Sequence, residues 1–159
     1  MTLQKLFITF LGTGLSPKFP EIVATLTALI IGVILLHTMG METLFMLILA
    51  VSIIGIFEIN KYDDPLSSEV VIDDAVGMWL ALLIPYTTAL SLSYPYVQEL
   101  GIFFSFASFC LFVTWNPSTI GWIKQNVKGG LGIIGSAALA GFAGGFLTIV
   151  ILLGIDKLF

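Results

Sequence analysis

Long apolar stretches alternate with short polar breaks along this chain, and each stretch approaches the length of a membrane-crossing helix. They run from Ile22 to His37, Thr43 to Ile59, Ala75 to Leu92, Ile102 to Trp115 and Leu131 to Ile155. A hydrocarbon core about 30 Å thick takes roughly 20 helical residues. The segment before Pro17 is apolar but short, which predicts a re-entrant or interfacial helix rather than a span. Turn formers separate the stretches: Gly40 lies in the first break, and Asn60 to Asp74 is polar and acidic. Pro95 marks the third, and Asn116 to Gly130 carries Pro117 and three glycines. Barrel strands would be shorter and would alternate polar with apolar, and no such alternation is present. The expected fold is all-α: one domain over residues 1–159, a polytopic helical membrane bundle of about four to five transmembrane helices plus a short N-terminal helix.

Composition agrees with that solvent. Hydrophobic residues make up 58% and charged residues 10% of the 159 positions, against about 25% charged in soluble domains. The net charge is -4, and all six basic residues are lysines. A chain without arginine or a basic cluster is not built to grip nucleic acid. The lone cysteine, Cys110, excludes an internal disulfide. The N-terminal run carries no small-residue cleavage site followed by a polar region, so it is not read as a removed signal peptide. With the N-terminus placed inside, segments 1–20, 60–74 and 116–130 share one face. They hold Lys5, Lys18, Lys61, Lys124 and Lys128, leaving only Lys157 opposite. The positive-inside rule makes that face cytoplasmic. The segments polar enough for chemistry then lie together.

Glu69-Val-Val-Ile-Asp73-Asp74 is the most informative of them. In a helix already running, Glu69 and Asp73 share a face, and Asp74 adds a third carboxylate where the chain meets the membrane. Charges there are costly unless paired or bound to a cation, and hard oxygen donors suit Mg²⁺. The same acids also suit a helix start, where they complement its dipole. Asp63-Asp64-Pro65 reads first as a turn. Val127-Lys128-Gly129-Gly130-Leu131-Gly132 opens the last stretch, where backbone N–H groups and Lys128 are placed to meet a phosphate. The alternative is a plain turn into a helix. Lys18 is a second phosphate candidate, or a lysine reaching to head groups. Ala137, Gly141 and Gly145, flanked by Ser136, Ala140 and Gly144, form a small-residue stripe that predicts close helix packing. His37 has no polar companions and takes no role. Trp115, Trp122, Tyr94 and Tyr96 are expected to anchor at the interface.

Three segments in order carry a resemblance. Gly12-Thr-Gly-Leu-Ser-Pro-Lys-Phe-Pro20 resembles the opening G-x-G-x-x-P-x-x-P-G-T motif of the phosphatidylglycerophosphatase A family. Glu69 to Trp79 resembles its I-V-x-D-E-x-x-G-M-W motif. Asn116 to Trp122, followed by Val127 to Gly141, resembles its K-P-x-P-I and G-G-x-G-I-M-x-D-D-x-x-A-G block. Together they cover about Gly12 to Gly145.

That resemblance implies a multihelical protein of the bacterial inner (cytoplasmic) membrane. It implies a Mg²⁺-dependent phosphatase that converts phosphatidylglycerophosphate to phosphatidylglycerol. Asp73 and Asp74 fall on the family's acidic pair and are the expected catalytic residues, with Glu69, Asp73 and Asp74 as metal ligands. Lys18, Lys128, Gly129 and Gly130 are the expected substrate-binding residues. The match is incomplete. Cys110, Val113 and Asn116 stand where the family's F-R-x-F-D-x-x-K-P motif has arginine, aspartate and lysine. Ser136 and Ala137 replace its D-D pair, and Pro20-Glu21-Ile22 replaces its P-G-T turn. Two functions are therefore expected in competition: the phosphatase, and a catalytically silent relative that binds lipid or serves as a structural membrane protein. A small transporter subunit ranks below both, because the spans lack the buried charges of ion pathways. A homo-oligomer is compatible with this pattern.

Overall fold

A computed structural model describes residues 6–7, 9–15, 18, 20–61, 71–93, 95–115, 122–123, 126–127 and 129–158. Among them are five long helices: α1 (Pro20–Thr38), α2 (Met41–Lys61), α3 (Ile72–Ser91), α4 (Val97–Trp115) and α5 (Gly129–Leu158). A short 3-10 turn, Thr13–Leu15, precedes them. The described residues contain no strand, as the apolar pattern predicts.

Neighbouring contacts give the direction of each helix. Gly77 in the first half of α3 meets Ala137 and Gly141 in the first half of α5, while Gly145 meets Ile84 further along. These two helices run parallel. Gly144 of α5 packs on Phe109 near the end of α4, and Gly101 near the start of α4 meets Leu152 near the end of α5, so α4 runs antiparallel to α5. At the other edge, Gly55 near the end of α2 meets both Ile134 and Ile72 near the starts of α5 and α3. The up–down alternation places residues 20, 61, 72, 115 and 129 at one end of the bundle.

Burial separates α3 from the others. Ile72 and every residue from Asp74 to Leu82 are buried, on all sides of the helix. The other four turn large apolar side chains outward: Ile22, Leu26, Ile30 and Ile34 on α1, Phe45, Leu49, Ile53 and Phe57 on α2, Phe103 and Leu111 on α4, and Phe142, Phe146 and Val150 on α5. Water would not tolerate that surface, whereas lipid tails would. By length and composition α1, α2 and α5 can each cross a membrane, and α4 carries a shorter apolar stretch, Val97–Val113. The predicted stretch from Ala75 to Leu92 is the central helix, enclosed by the rest.

The small-residue stripe does what its spacing predicts. Ala137, Ala140, Gly141, Gly144 and Gly145 are all buried against α3 and α4. A Cβ on Gly77 would collide with the Phe109 ring and the Ala137 carbonyl, so only glycine allows this crossing. Near the N-terminus the chain reverses through Phe10, Leu11 and Gly12, all with left-handed backbone (φ 50°, 58° and 90°). That conformation is costly for L residues. It seats Phe10 edge-to-face on Trp79, ring centres 5.9 Å apart. The short N-terminal segment therefore folds back onto α3. Trp115, Trp122 and Tyr96 point outward as expected of interfacial anchors, and Tyr94 lies outside the described residues.

Candidate functional site

The acidic pair sits in the first turn of α3. Val71 is the N-cap residue and offers no side-chain cap, so Asp73 and Asp74 follow the cap rather than form it. They still lie at the positive end of the helix dipole. The helix starts at Ile72, and Glu69 lies outside the described residues. Asp74 is only 4% exposed, and Oδ1 of Asp73 is also buried. A carboxylate at membrane depth costs about 2.5–3.5 kcal/mol at a helix centre.

Asp74 lines a cavity of about 260 Å³ enclosed by α1, α3 and α4. Glu21, Ile22 and Thr25 of α1 form one wall, and Phe106, Phe109, Cys110 and Val113 of α4 form the other. Thr25 is buried and its hydroxyl donates to the Glu21 carbonyl at 2.7 Å, which holds the first turn of α1 in shape. Deeper in the bundle, Trp79 Nε1 donates to the Ala28 carbonyl at 2.9 Å. This buried bond ties α1 to α3 about one turn below the cavity. Trp79 thus positions the α1 wall relative to the helix that carries Asp74.

The glycine turn stands at the same end, in a different setting. Gly129 has φ 76°, and a Cβ there would run into Asn60 Oδ1. The Gly130 N–H donates to Asn60 Oδ1 at 2.8 Å, and a Cβ on Gly130 would press on the Ile56 backbone 2.5 Å away. In this structure the Gly130 amide therefore holds α5 against α2 rather than standing open to a phosphate. Lys128 lies outside the described residues. Lys18 is exposed just ahead of α1.

Among the described residues, no three His, Cys, Asp or Glu side chains converge closely enough to hold a metal by themselves. Mg²⁺ needs less, usually one or two carboxylates with water and substrate phosphate supplying the rest. Glu21, Thr25 and Asp74, whose side chains carry oxygen, all line this space. Oxygen donors are the class that Mg²⁺ takes.

Sequence reasoning had not assigned Glu21, Thr25, Asn60 or Cys110 to a site. For Glu21 the signal was present as a departure from P-G-T, but an acid in the first turn of a helix reads as a dipole partner. Asn60 was hidden by its place at the end of an apolar stretch. The structure also gathers the departures: Glu21, Cys110 and Val113 line the cavity that Asp74 enters. Ser136 and Ala137 are buried on the adjoining face of α5, where Ala137 meets Gly77, one helical turn beyond Asp73.

The family model of phosphatidylglycerophosphatase A matches residues 6–152. No individual curated protein and no solved structure matches the chain.

Proposed function

The chain belongs to the phosphatidylglycerophosphatase A family, and on that premise we propose that it is a Mg²⁺-dependent lipid phosphatase of the bacterial inner membrane. It converts phosphatidylglycerophosphate to phosphatidylglycerol. The observation that carries this reading is the cavity at the mouth of α1, α3 and α4, where the buried Asp74 stands among the family's motif positions.

Asp73, Asp74 and Glu69 are the residues assigned to the cation. Held by these residues, Mg²⁺ would supply a water of lowered pKa and draw charge from the phosphoryl oxygens. The rest falls to the protein's own groups. Phe106, Phe109 and Val113 make an apolar wall beside Asp74, which lowers the local dielectric and strengthens every charge interaction across the cavity. Lys18 and Lys128 are assigned to the phosphate, on the face that the positive-inside rule makes cytoplasmic. Gly129 gives the chain a tight turn beside them. The lipid tails lie along the outward apolar surfaces of α1 and α4. Hydrolysis consumes one water, releases inorganic phosphate and leaves the glycerol hydroxyl on the lipid.

A second reading has its own observation. Cys110 and Val113 stand on the cavity wall where the family motif has arginine and aspartate, so the chain keeps the bundle with fewer charged groups. This favours a silent lipid-binding relative. Purified protein in detergent, given phosphatidylglycerophosphate and Mg²⁺, distinguishes the two. Phosphate release that disappears in Asp74→Asn supports the phosphatase. Release no higher than a protein-free control at every Mg²⁺ concentration supports the silent relative.

A further inference from the structure

Helices α1 and α4 both pack against α3 much more extensively than against each other. A seam therefore runs between them over α3, and the wide cavity lies in it. Its polar lining, Glu21, Thr25 and Asp74, comes from the first two turns of α1 and α3. Its apolar lining on α4 reaches further in. Phe106 stands nine residues before Trp115, the last residue of α4, which is about 14 Å of helix. Trp115 is exposed, as an anchor at the membrane surface is. Half of a hydrocarbon core about 30 Å thick is about 15 Å. The cavity lining thus extends from the head-group level through much of one leaflet.

Access from the side follows from the same residues. Ile22 lines the cavity yet is 46% exposed, and Phe106, Cys110 and Val113 are only half-buried. These side chains belong to the cavity and to the outer surface at once, so the seam communicates with what surrounds the helices. At this depth that is lipid, since Leu26 and Ile30 of α1 and Phe103 and Leu111 of α4 are exposed on the same helices. Further in, the seam closes. Leu36 and Leu82 are buried, and the space there is only about 20 Å³. A space that is polar at its mouth, apolar in depth and open to lipid suits an amphiphile with a head and a chain. A soluble phosphate ester has nothing to place against Phe106 and Phe109.

We propose that this seam is a lateral entry for lipid. A diacyl phospholipid slides in from the bilayer between α1 and α4, with the first part of one acyl chain against Phe106, Phe109 and Val113. The head group is then left at the polar mouth, and the second chain stays on the outer surface. The inference rests on the lipid-binding part of the function proposed above, and it holds for a phosphatase and a silent relative alike. It goes further in naming the route and in assigning one chain to the inside of the bundle.

Cys110 is the chain's lone cysteine and lines the seam, so the native protein carries its own reporter. The purified full-length protein is held in an amphipathic polymer, free of detergent chains. Alkylation of Cys110 by N-ethylmaleimide is then followed by mass spectrometry. Dioleoyl phosphatidylglycerol should slow the reaction by about tenfold at about ten times its half-saturating concentration. Glycerophosphoglycerol, the same head group without chains, should leave the rate unchanged. Val113→Trp, which fills the seam, should make the rate independent of lipid, whereas Ala107→Trp on the exposed side of α4 should keep the protection. Should Val113→Trp fail to fold, the lipid and its chain-free head group decide the matter alone. Three results overturn the inference: equal protection by glycerophosphoglycerol, a rate that no lipid changes, or a Cys110 that does not react even without lipid. Phosphate release, measured on the same preparation, answers separately. Release without protection removes the lateral route and leaves the phosphatase; protection without release keeps the route and removes the phosphatase.

Discussion

The same three helices, α1, α3 and α4, enclose a space at each end of the bundle, and the two ends differ sharply. At one end the cavity is about 260 Å³ and carries Glu21, Thr25 and Asp74. At the other it is about 20 Å³, lined by Leu36, His37, Leu82, Pro85, Tyr86, Gln98 and Ser105 among others. Backbone architecture cannot explain the contrast, because the helices are the same. Side chains do. At the narrow end Leu36 and Leu82 fill the seam, and Ser105 is fully buried with no hydrogen-bond partner for its hydroxyl among the described residues. At the wide end Glu21, Thr25, Asp74 and Cys110 share the lining with Ile22, Phe106, Phe109 and Val113, and the space is left open. One end is closely packed, and the other leaves room beside a buried carboxylate.

The sharpest way to break that contrast is Asp74→Asn. Phosphate release should fall by at least the roughly 10–100-fold that even an outer partner of a metal ligand is worth. The bundle should meanwhile stay folded in EDTA, read by its melting temperature, so that the loss of activity does not come from unfolding. A variant that melts far lower would mean that Asp74 is structural. Next comes Gly77→Ala, at the crossing between the two ends. Its methyl group must displace the Phe109 ring and the Ala137 carbonyl, which should lower unfolding stability by about 1–3 kcal/mol. Denaturant unfolding in detergent measures it, and an unchanged midpoint would refute the tight crossing.

Asn60→Ala has a smaller expected effect. It removes the acceptor for the Gly130 N–H, and a deprived buried donor costs about 1–3 kcal/mol, with the lower value expected because this bond is only partly buried. Faster hydrogen exchange at the Gly130 amide, read by mass spectrometry, would locate the change. Unchanged protection would remove Asn60 from its role. The mildest substitution is Ser105→Ala at the narrow end. Stability should stay level or rise by up to about 1 kcal/mol, because a hydroxyl without a protein partner is replaced by a methyl. Phosphate release should not change. A loss of activity there would erase the distinction between the ends.

Much of this protein was legible before any coordinates. Apolar runs of helical length could only be satisfied by helices in lipid, because each buried backbone group needs an internal partner. The small-residue stripe from Ala137 to Gly145 announced a close crossing, since nothing larger fits between touching backbones. The positions of Asp73 and Asp74 at the start of a helix also followed from local pattern.

What required the folded chain was every relation between distant segments. Glu21 and Asp74 are 53 positions apart (74 − 21) and share a cavity only because α1 and α3 run parallel with their first turns level. Gly130, a phosphate donor by local pattern, has its amide engaged by Asn60, 70 positions earlier. Local pattern determines which segments become helices and which faces avoid water, because backbone hydrogen bonding and burial act over a few residues. Which carboxylates meet, and which amides are already engaged, depends on helix direction and register, and packing decides those only when all five helices are in place.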